Sequence, residues 1–322
     1  MEVECAIKPA EVQQGDPAIL RNALSEQQNM MQPTVTCPYC KGESRYQLSS
    51  QDINRKTVAD NFDFYKCSNC ELMFLHPIPP DLRPFYKGGY QRIPGDLASL
   101  RAIAKTERYR MDPILRHRSQ GSLLEIGPWM GIFSCNAKDA GFDVTAIEID
   151  SDCVAFLNNV VGIDAIRSAD PAAAMRALGR KFDVITLWHS LEHLPDPWRV
   201  LEAAAEHLAP QGLLLIAVPN IESYDFSVLQ VGWLHLDAPR HLYFYTARWL
   251  EKVCAEIGLR TLEVSTSDRL GHILSRDAWC AHSARILPIK YVRRGLGILL
   301  YRIAMWRGPG NTSGLTAIYV KS

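Results

Sequence analysis

From residue 121 onward, short runs rich in β-branched and aliphatic residues alternate with segments of helical period. The runs are "SLLEIG" (122–127), "DVTAIEI" (143–149), "FDVITLW" (182–188) and "GLLLIAV" (212–218). Between them, "CVAFLNNVV" and "WRVLEAAAEHL" space their apolar residues three and four apart, as one face of a helix requires. Strands alternating with helices predict a parallel sheet covered on both faces. "LRTLEVSTS" and "LTAIYVKS" predict two further strands near the end. Upstream, "DLASLRAIAKTERYRMDPILRHR" has helical spacing, with a break expected near Pro113. The fold class expected is α/β, a doubly wound, mostly parallel sheet.

Ahead of this region the pattern changes. Residues 1–32 are polar and without period, and read as a mobile extension. Residues 33–90 are irregular, carry two cysteine pairs and end in the proline-rich "LHPIPPDLRPFYKGGY", a boundary signal. Residues 91–322 form the large domain. A chain of 322 residues, 47% hydrophobic, buries a sizeable core. Its 35 basic and 35 acidic residues cancel, so no global field draws it to nucleic acid. The first residues form no basic, apolar leader, and no run nears the roughly 18 apolar residues of a membrane span. A soluble cytoplasmic protein is expected.

Four of the nine cysteines make a pattern: Cys37 and Cys40 in "CPYC", Cys67 and Cys70 in "CSNC". Each pair brings two thiolates to one metal from a single turn, and two turns complete a tetrahedral site with no position left for water. The expectation is a structural zinc in a small ribbon-like module, with a β-hairpin between the pairs. Redox-active or incidental cysteines are the competing reading. The remaining five cysteines lie mostly in apolar surroundings, where a thiol behaves as a small core residue.

The stretch "LLEIGPWMGIF" ends a strand and opens a helix. It fails the three-glycine dinucleotide fingerprint, since Trp129 stands between Gly127 and Gly131, and it fails the Walker loop for want of Gly-Lys-Ser/Thr. What remains is Glu125, Gly127 and Gly131. Glu148 follows near the end of the next strand, at the offset where nucleotide-binding folds place a ribose-binding carboxylate. This set resembles motif I and its successor in the class I S-adenosylmethionine-dependent methyltransferases. The resemblance implies a seven-stranded sheet, with Glu125, Gly127 and Gly131 around the methionine part of the cofactor and Trp129 as a further candidate cofactor contact in the same loop. It puts Glu148 and Ile149 at the ribose, Asp170 near the adenine amino group and Trp188 at the strand end facing the transferable methyl. "DAPRHLYFYTARWLEKVCAEIGL" looks like the lid-and-helix segment of a small-molecule branch of that family, and "YKCSNCELMFLHPIPP" like the zinc-ribbon entry of some members. Residues 35–265 carry the resemblance. Trp129 departs from it, because the family commonly has a small residue there; the indole either turns away from the cofactor or walls its methionine end.

Methyl transfer from a sulfonium is an in-line displacement, and an oxygen or carbon acid acceptor also needs a base. His189, His193, His241 and Tyr243 are the candidate catalytic residues, with Glu192, His235, Asp237 and Arg240 beside them. Each has a structural alternative as a turn or core residue. The Glu192–His193 dyad resembles one that holds a divalent ion in quinone O-methyltransferases, but it also occurs in metal-free relatives, so no catalytic metal is expected. The function expected is methyl transfer to an oxygen of a small molecule, such as a natural-product, sugar or lipid-linked intermediate. An RNA methyltransferase, a C- or N-methyltransferase and a non-catalytic scaffold remain as alternatives.

The final segment adds a separate signal. After Asp277 the chain has seven basic residues and no acidic one, and Val292, Leu296, Leu299, Ile303 and Trp306 form one helical stripe. Such a basic insertion, at about 285–310, either lies in a membrane interface or packs on the sheet.

Overall fold

The computed structural model describes residues 33–86, 93–287, 289–308 and 310–322. The extension expected over residues 1–32 lies outside the described residues, as does the proposed boundary at residue 90. The cysteine region forms four strands: β1 (Val35–Thr36), β2 (Glu43–Gln51), β3 (Asn61–Cys67) and β4 (Met73–Leu75). The hairpin expected between the cysteine pairs is β2 against β3.

All six runs read as strands from residue 121 onward are strands: β5 (Gly121–Ile126), β6 (Phe142–Glu148), β8 (Phe182–Trp188), β9 (Leu208–Pro219), β11 (Leu259–Ser265) and β12 (Gly314–Lys321). The seventh, β7 (Asp164–Arg167), is a four-residue edge strand with only Ala165 buried, too short to show a period. The order is β11-β12-β9-β8-β5-β6-β7, with β12 antiparallel to both neighbours and the other pairs parallel. The central strands β5 and β8 are almost continuously buried, which is why they read as unbroken apolar runs rather than alternating ones.

The expected break at Pro113 falls elsewhere. The Leu97–Thr106 helix, capped by Asp96, stops at Glu107, and Pro113 sits in the first turn of the Asp112–Leu115 helix. Its missing N–H costs nothing there, because first-turn amides have no partner within the helix.

The cysteine region does not stand apart from the large domain. Strand β10 (Tyr243–Phe244) pairs antiparallel with β4, so that the order β1-β2-β3-β4-β10 makes one five-stranded sheet from both parts of the chain. One apolar cluster runs from Phe64 and Phe74 through Phe244 and Tyr245 to Leu187, Ile216 and Val218 under the large sheet. Each fully buried side chain of that size contributes about 1.5–3 kcal/mol, so the seam is a core and not a contact between two surfaces. A second cluster, with Leu123, Phe133, Val144 and Ile318, covers the other face.

Between β11 and β12 the chain makes a helical hairpin, Arg269–Ile286 and Lys290–Arg307. A Cβ at Gly297 would stand 2.7 Å from Cys280 Cα, so this glycine sets how closely the helices pack. Leu300, Tyr301 and Met305 pack on the core and Ala304 is buried. The stripe of Val292, Leu299, Ile303 and Trp306 therefore faces outward. Among the described residues, no helix is long and apolar enough to cross a membrane.

Candidate active site

Strand β5 has β6 on one side and β8 on the other, and their carboxyl ends leave the crevice in which open α/β sheets bind ligands. The loop after β5 carries positive φ at Gly127 (72°), Trp129 (52°) and Gly131 (83°). Trp129 thus takes the left-handed conformation that glycine adopts freely, at roughly 1 kcal/mol for a residue with a Cβ. The indole is half-buried and packs on the second apolar cluster, in accord with its turning into the protein. Its backbone N–H donates to Glu148 Oε2 at 3.0 Å. The two glycines serve the protein itself as much as a ligand. A Cβ at Gly127 would lie 2.8 Å from Ser190 Cβ, and one at Gly131 would strike Leu157.

Glu148 Oε1 accepts from the N–H groups of Ile149 (2.8 Å) and Asp150 (3.0 Å). With the Trp129 bond, three of about four acceptor sites on this carboxylate are taken, so it ties the ends of β5 and β6 together and keeps room for about one further donor. Ile149 stands 59% exposed beside it, an apolar surface at the lip of the crevice. Asp170 caps the Pro171–Leu178 helix through Ala173 N–H at 3.0 Å and lies 3.9 Å from Arg199.

Glu125 is buried and accepts from Ser134 Oγ. Burial pushes its carboxyl up to about 7, against the pull of the Ser134 bond and the Arg110 charge. Arg110 stacks over Trp188 at 5.5 Å, pairs with Glu107 at 2.7 Å, and leaves its Nε buried without a partner. Trp188 Nε1 and Ser190 Oγ are likewise buried and unpartnered. Arg110, Ser134 and Ser190 escaped the sequence reading because nothing in their local pattern marks them. An acidic and a basic group flanking one crevice, with spare donors, suit the zwitterionic end of an amino-acid-derived cofactor.

Four of the predicted residues meet beyond β8. His189 follows the strand with φ 49°, and a tight turn, Leu191–His193, brings Glu192 back beneath it. Glu192 is fully buried; its Oε1 lies 3.3 Å from His189 Nδ1 and 4.0 Å from His241 Nε2, and neither oxygen has a hydrogen bond. Burial pushes this carboxyl up, but His189, His241 and His193 outweigh it and hold the group near about 2. The rings of His193 and His241 sit 4.6 Å apart. His193 Nδ1 is 2.9 Å from Arg240 O and His241 Nδ1 is 2.8 Å from His235 O. A carbonyl only accepts, so both Nδ1 atoms carry the proton and both Nε2 atoms present a lone pair. Burial, then the neighbouring His193, depresses His241 to about 4. Glu192, His193 and His241 offer ligand atoms within 4.8 Å of one another, a donor set that also suits a divalent cation.

Tyr243 stands differently. It is buried and its hydroxyl donates to Pro195 O at 2.9 Å, while Tyr245 donates to Leu191 O at 3.1 Å. The two tyrosines tie the segment of β10 to the loop that carries the histidines, and Tyr243 keeps no free hydroxyl for proton transfer.

Two contributions from the cysteine region were not foreseen. Tyr86 OH lies 3.1 Å from His193 Nδ1. Arg240, fully buried, is gripped at 2.7 Å by Asp52 Oδ1 from the β2–β3 turn and at 2.7 Å by Asp237 Oδ1. Since Arg240 O orients His193, this ion triad underpins the cluster. The signal is long-range, and residues 188 positions apart show no period.

The four cysteine sulfurs lie within 4.8 Å of one another, with Cys37–Cys70 at 3.7 Å and Cys40–Cys67 at 3.4 Å. A tetrahedron of metal–sulfur bonds of about 2.3 Å has edges near about 3.8 Å. Cys67 Sγ accepts from the N–H groups of Asn69 and Cys70, both at 3.4 Å, and the two turns match, with Lys41 and Glu71 both left-handed. The hydrogen bond from Cys70 is foremost in lowering the Cys37 thiol to about 5.

A switch-point crevice with a glycine loop, a carboxylate on the following strand and an acid–base cluster after β8 defines a Rossmann-like transferase of the class I type. The family described as methyltransferase domain matches residues 99–264, and the chain belongs to it: it is a class I S-adenosylmethionine-dependent methyltransferase. The ubiquinone biosynthesis O-methyltransferase of Aromatoleum aromaticum is 30% identical over 154 residues, covering 44% of this chain and 65% of that relative. The enzyme of the same name from Paraburkholderia phytofirmans is 26% identical over 162 residues, covering 48% of this chain and 69% of its own. The matches thus span about two thirds of these relatives and less than half of this chain. A SAM-dependent methyltransferase from Archaeoglobus fulgidus is similar in structure, with TM-score 0.48 and 17% identity over 68% of this chain and 94% of that one.

Proposed function

We propose that this methyltransferase acts on an oxygen nucleophile of a small molecule, with His193 taking the acceptor's proton. The observation that carries this reading is the buried Glu192 among three imidazoles directly beyond β8. An amine attacks a sulfonium methyl without help, whereas a hydroxyl must lose a proton as the bond forms. His193 is half-buried, its proton is pinned on Nδ1 by Arg240 O, and its Nε2 lone pair is free. Glu192 stabilises the imidazolium that results, with His189 Nδ1 3.3 Å from the carboxylate. The names of the O-methyltransferase relatives point the same way. Bound in the crevice, S-adenosylmethionine supplies the electrophilic methyl group. Glu125 would hold its ammonium, Arg110 its carboxylate and Glu148 a ribose hydroxyl, with Ile149 beside the ribose and Asp170 toward the adenine. The cysteines hold a structural zinc, whose donor geometry they already have.

His193→Gln is expected to lower kcat by 10² to 10⁴ with little change in cofactor affinity, and Tyr243→Phe to leave kcat within a few-fold. Transfer of labelled methyl to a panel of hydroxyl acceptors, beside calorimetric titration of the cofactor, reads both. Unchanged kcat in the His193 and Glu192→Gln variants, with the cofactor still bound, would remove the base from this cluster. A second reading rests on the two unpartnered Glu192 oxygens: a divalent cation held by Glu192, His193 and His241 would acidify an acceptor hydroxyl there. Stimulation by added Mg²⁺ that Glu192→Gln abolishes would favour it.

A further inference from the structure

The helical hairpin between β11 and β12 turns its apolar stripe away from the protein. Val292, Leu299 and Ile303 are exposed, Trp306 is 80% exposed, and Ile286 and Ile289 continue the line across the connecting turn. A helix on a water-soluble domain ordinarily carries polar residues on that face. The stripe is not left over from core packing either, since the opposite face already packs through Gly297, Leu300, Tyr301 and Ala304.

Charge identifies the occupant. Arg302 and Arg307 flank the stripe on the helix, Arg293 and Arg294 follow its first residue, and residues 278–322 hold no acidic side chain at all; Arg285 is held by the protein itself, at Gly232 O and Asn54 Oδ1. A second copy of this chain, paired about a two-fold axis, would set this cationic surface against itself. An anionic lipid surface meets both features. The aliphatic and indole groups enter the headgroup–acyl boundary, where tryptophan is favoured, and the arginines extend to the lipid phosphates.

We propose that the outer face of this hairpin docks the protein on anionic membrane surfaces. Helix Arg269–Ile286 leaves β11 and β12 begins at the carboxyl edge of the sheet, the edge that bears the glycine loop and the histidine cluster. Docking therefore engages the end of the molecule at which methyl transfer takes place. The inference stands apart from the identity of the acceptor.

The test is co-sedimentation of the full chain with extruded vesicles of phosphatidylcholine, with and without phosphatidylglycerol, at low and high salt. The protein is expected to pellet only with vesicles containing phosphatidylglycerol, and less as salt screens the charges. Leu299→Ser with Trp306→Ser removes two exposed side chains and is expected to weaken binding by roughly a hundredfold at an unchanged melting temperature. Arg302→Glu with Arg307→Glu is expected to weaken it by roughly tenfold or more. Failure of the folded wild type to bind anionic vesicles, or equal binding by the variants, would overturn the proposal. So would a dimer in gel filtration that the Leu299/Trp306 variant converts to monomer, which would assign the stripe to a second copy.

Discussion

Glu125 and Glu148 stand near the ends of neighbouring strands, both buried, yet their surroundings divide their tasks. Glu148 is stitched to three backbone N–H groups, and burial still raises its carboxyl against them. Glu125 has one hydroxyl partner and, chiefly through burial, sits at about 7. A cationic ammonium beside Glu125 favours its ionised form, so cofactor binding releases a proton wherever the free carboxyl is protonated. The sign follows: affinity for S-adenosylmethionine is level above pH 7 and falls below it, approaching about tenfold per pH unit. Calorimetry in buffers of different ionisation heat reads the proton release directly. Glu125→Gln is expected to flatten the profile, and a flat wild-type profile would take Glu125 away from the ammonium. Trp129 makes a different point: its left-handed φ keeps the course of a glycine loop without the glycine.

At the level of elements, the segment from Asp237 to Tyr245 does most of the joining. Its strand β10 completes the N-terminal sheet, its tyrosines hold the loop after β8, and its Arg240 binds Asp52 across the seam. Asp52 is a positioning residue in this arrangement, acting on His193 through Arg240. Asp52→Asn leaves Arg240 one buried charge partner in place of two. It is expected to destabilise the fold by about 3 kcal/mol, the low end for a broken buried pair. It is also expected to lower kcat more than it changes KM, because His193 loses its fixed orientation. Denaturant unfolding and initial-rate kinetics separate the two effects; a stability loss with kcat intact would confine Asp52 to a purely structural role.

One apolar cluster runs through both sheets, so the two are expected to unfold as one unit. If the four cysteines hold the zinc proposed above, its removal is expected to bring unshielded thiolates together and loosen the turns they close. With no boundary in space to contain the damage, the catalytic sheet is expected to lose stability together with the ribbon. Treatment with a zinc chelator is expected to lower the melting temperature of the entire chain by roughly 10 °C in one transition, and zinc to restore it. Two separate transitions would show that the cysteine region folds on its own.

The sequence alone determined the α/β class, six of the seven large-sheet strands, the glycine loop with its two carboxylates, and the paired cysteines. Each of these is local: a period, a turn or a fixed spacing, imposed by the backbone on residues close together in the chain. The edge strand β7 stayed hidden because four residues are too few for a period. Tertiary structure alone decided that Tyr86 reaches His193 and Asp52 grips Arg240, that the Arg110 charge bears on Glu125, and that the Tyr243 hydroxyl is tied to Pro195 O. It also decided which face of the last helix is packed. Leu299 and Leu300 look alike in the sequence, and what separates them is the close approach of Cys280 at Gly297, which turns the side of Leu300 inward and leaves Leu299 exposed.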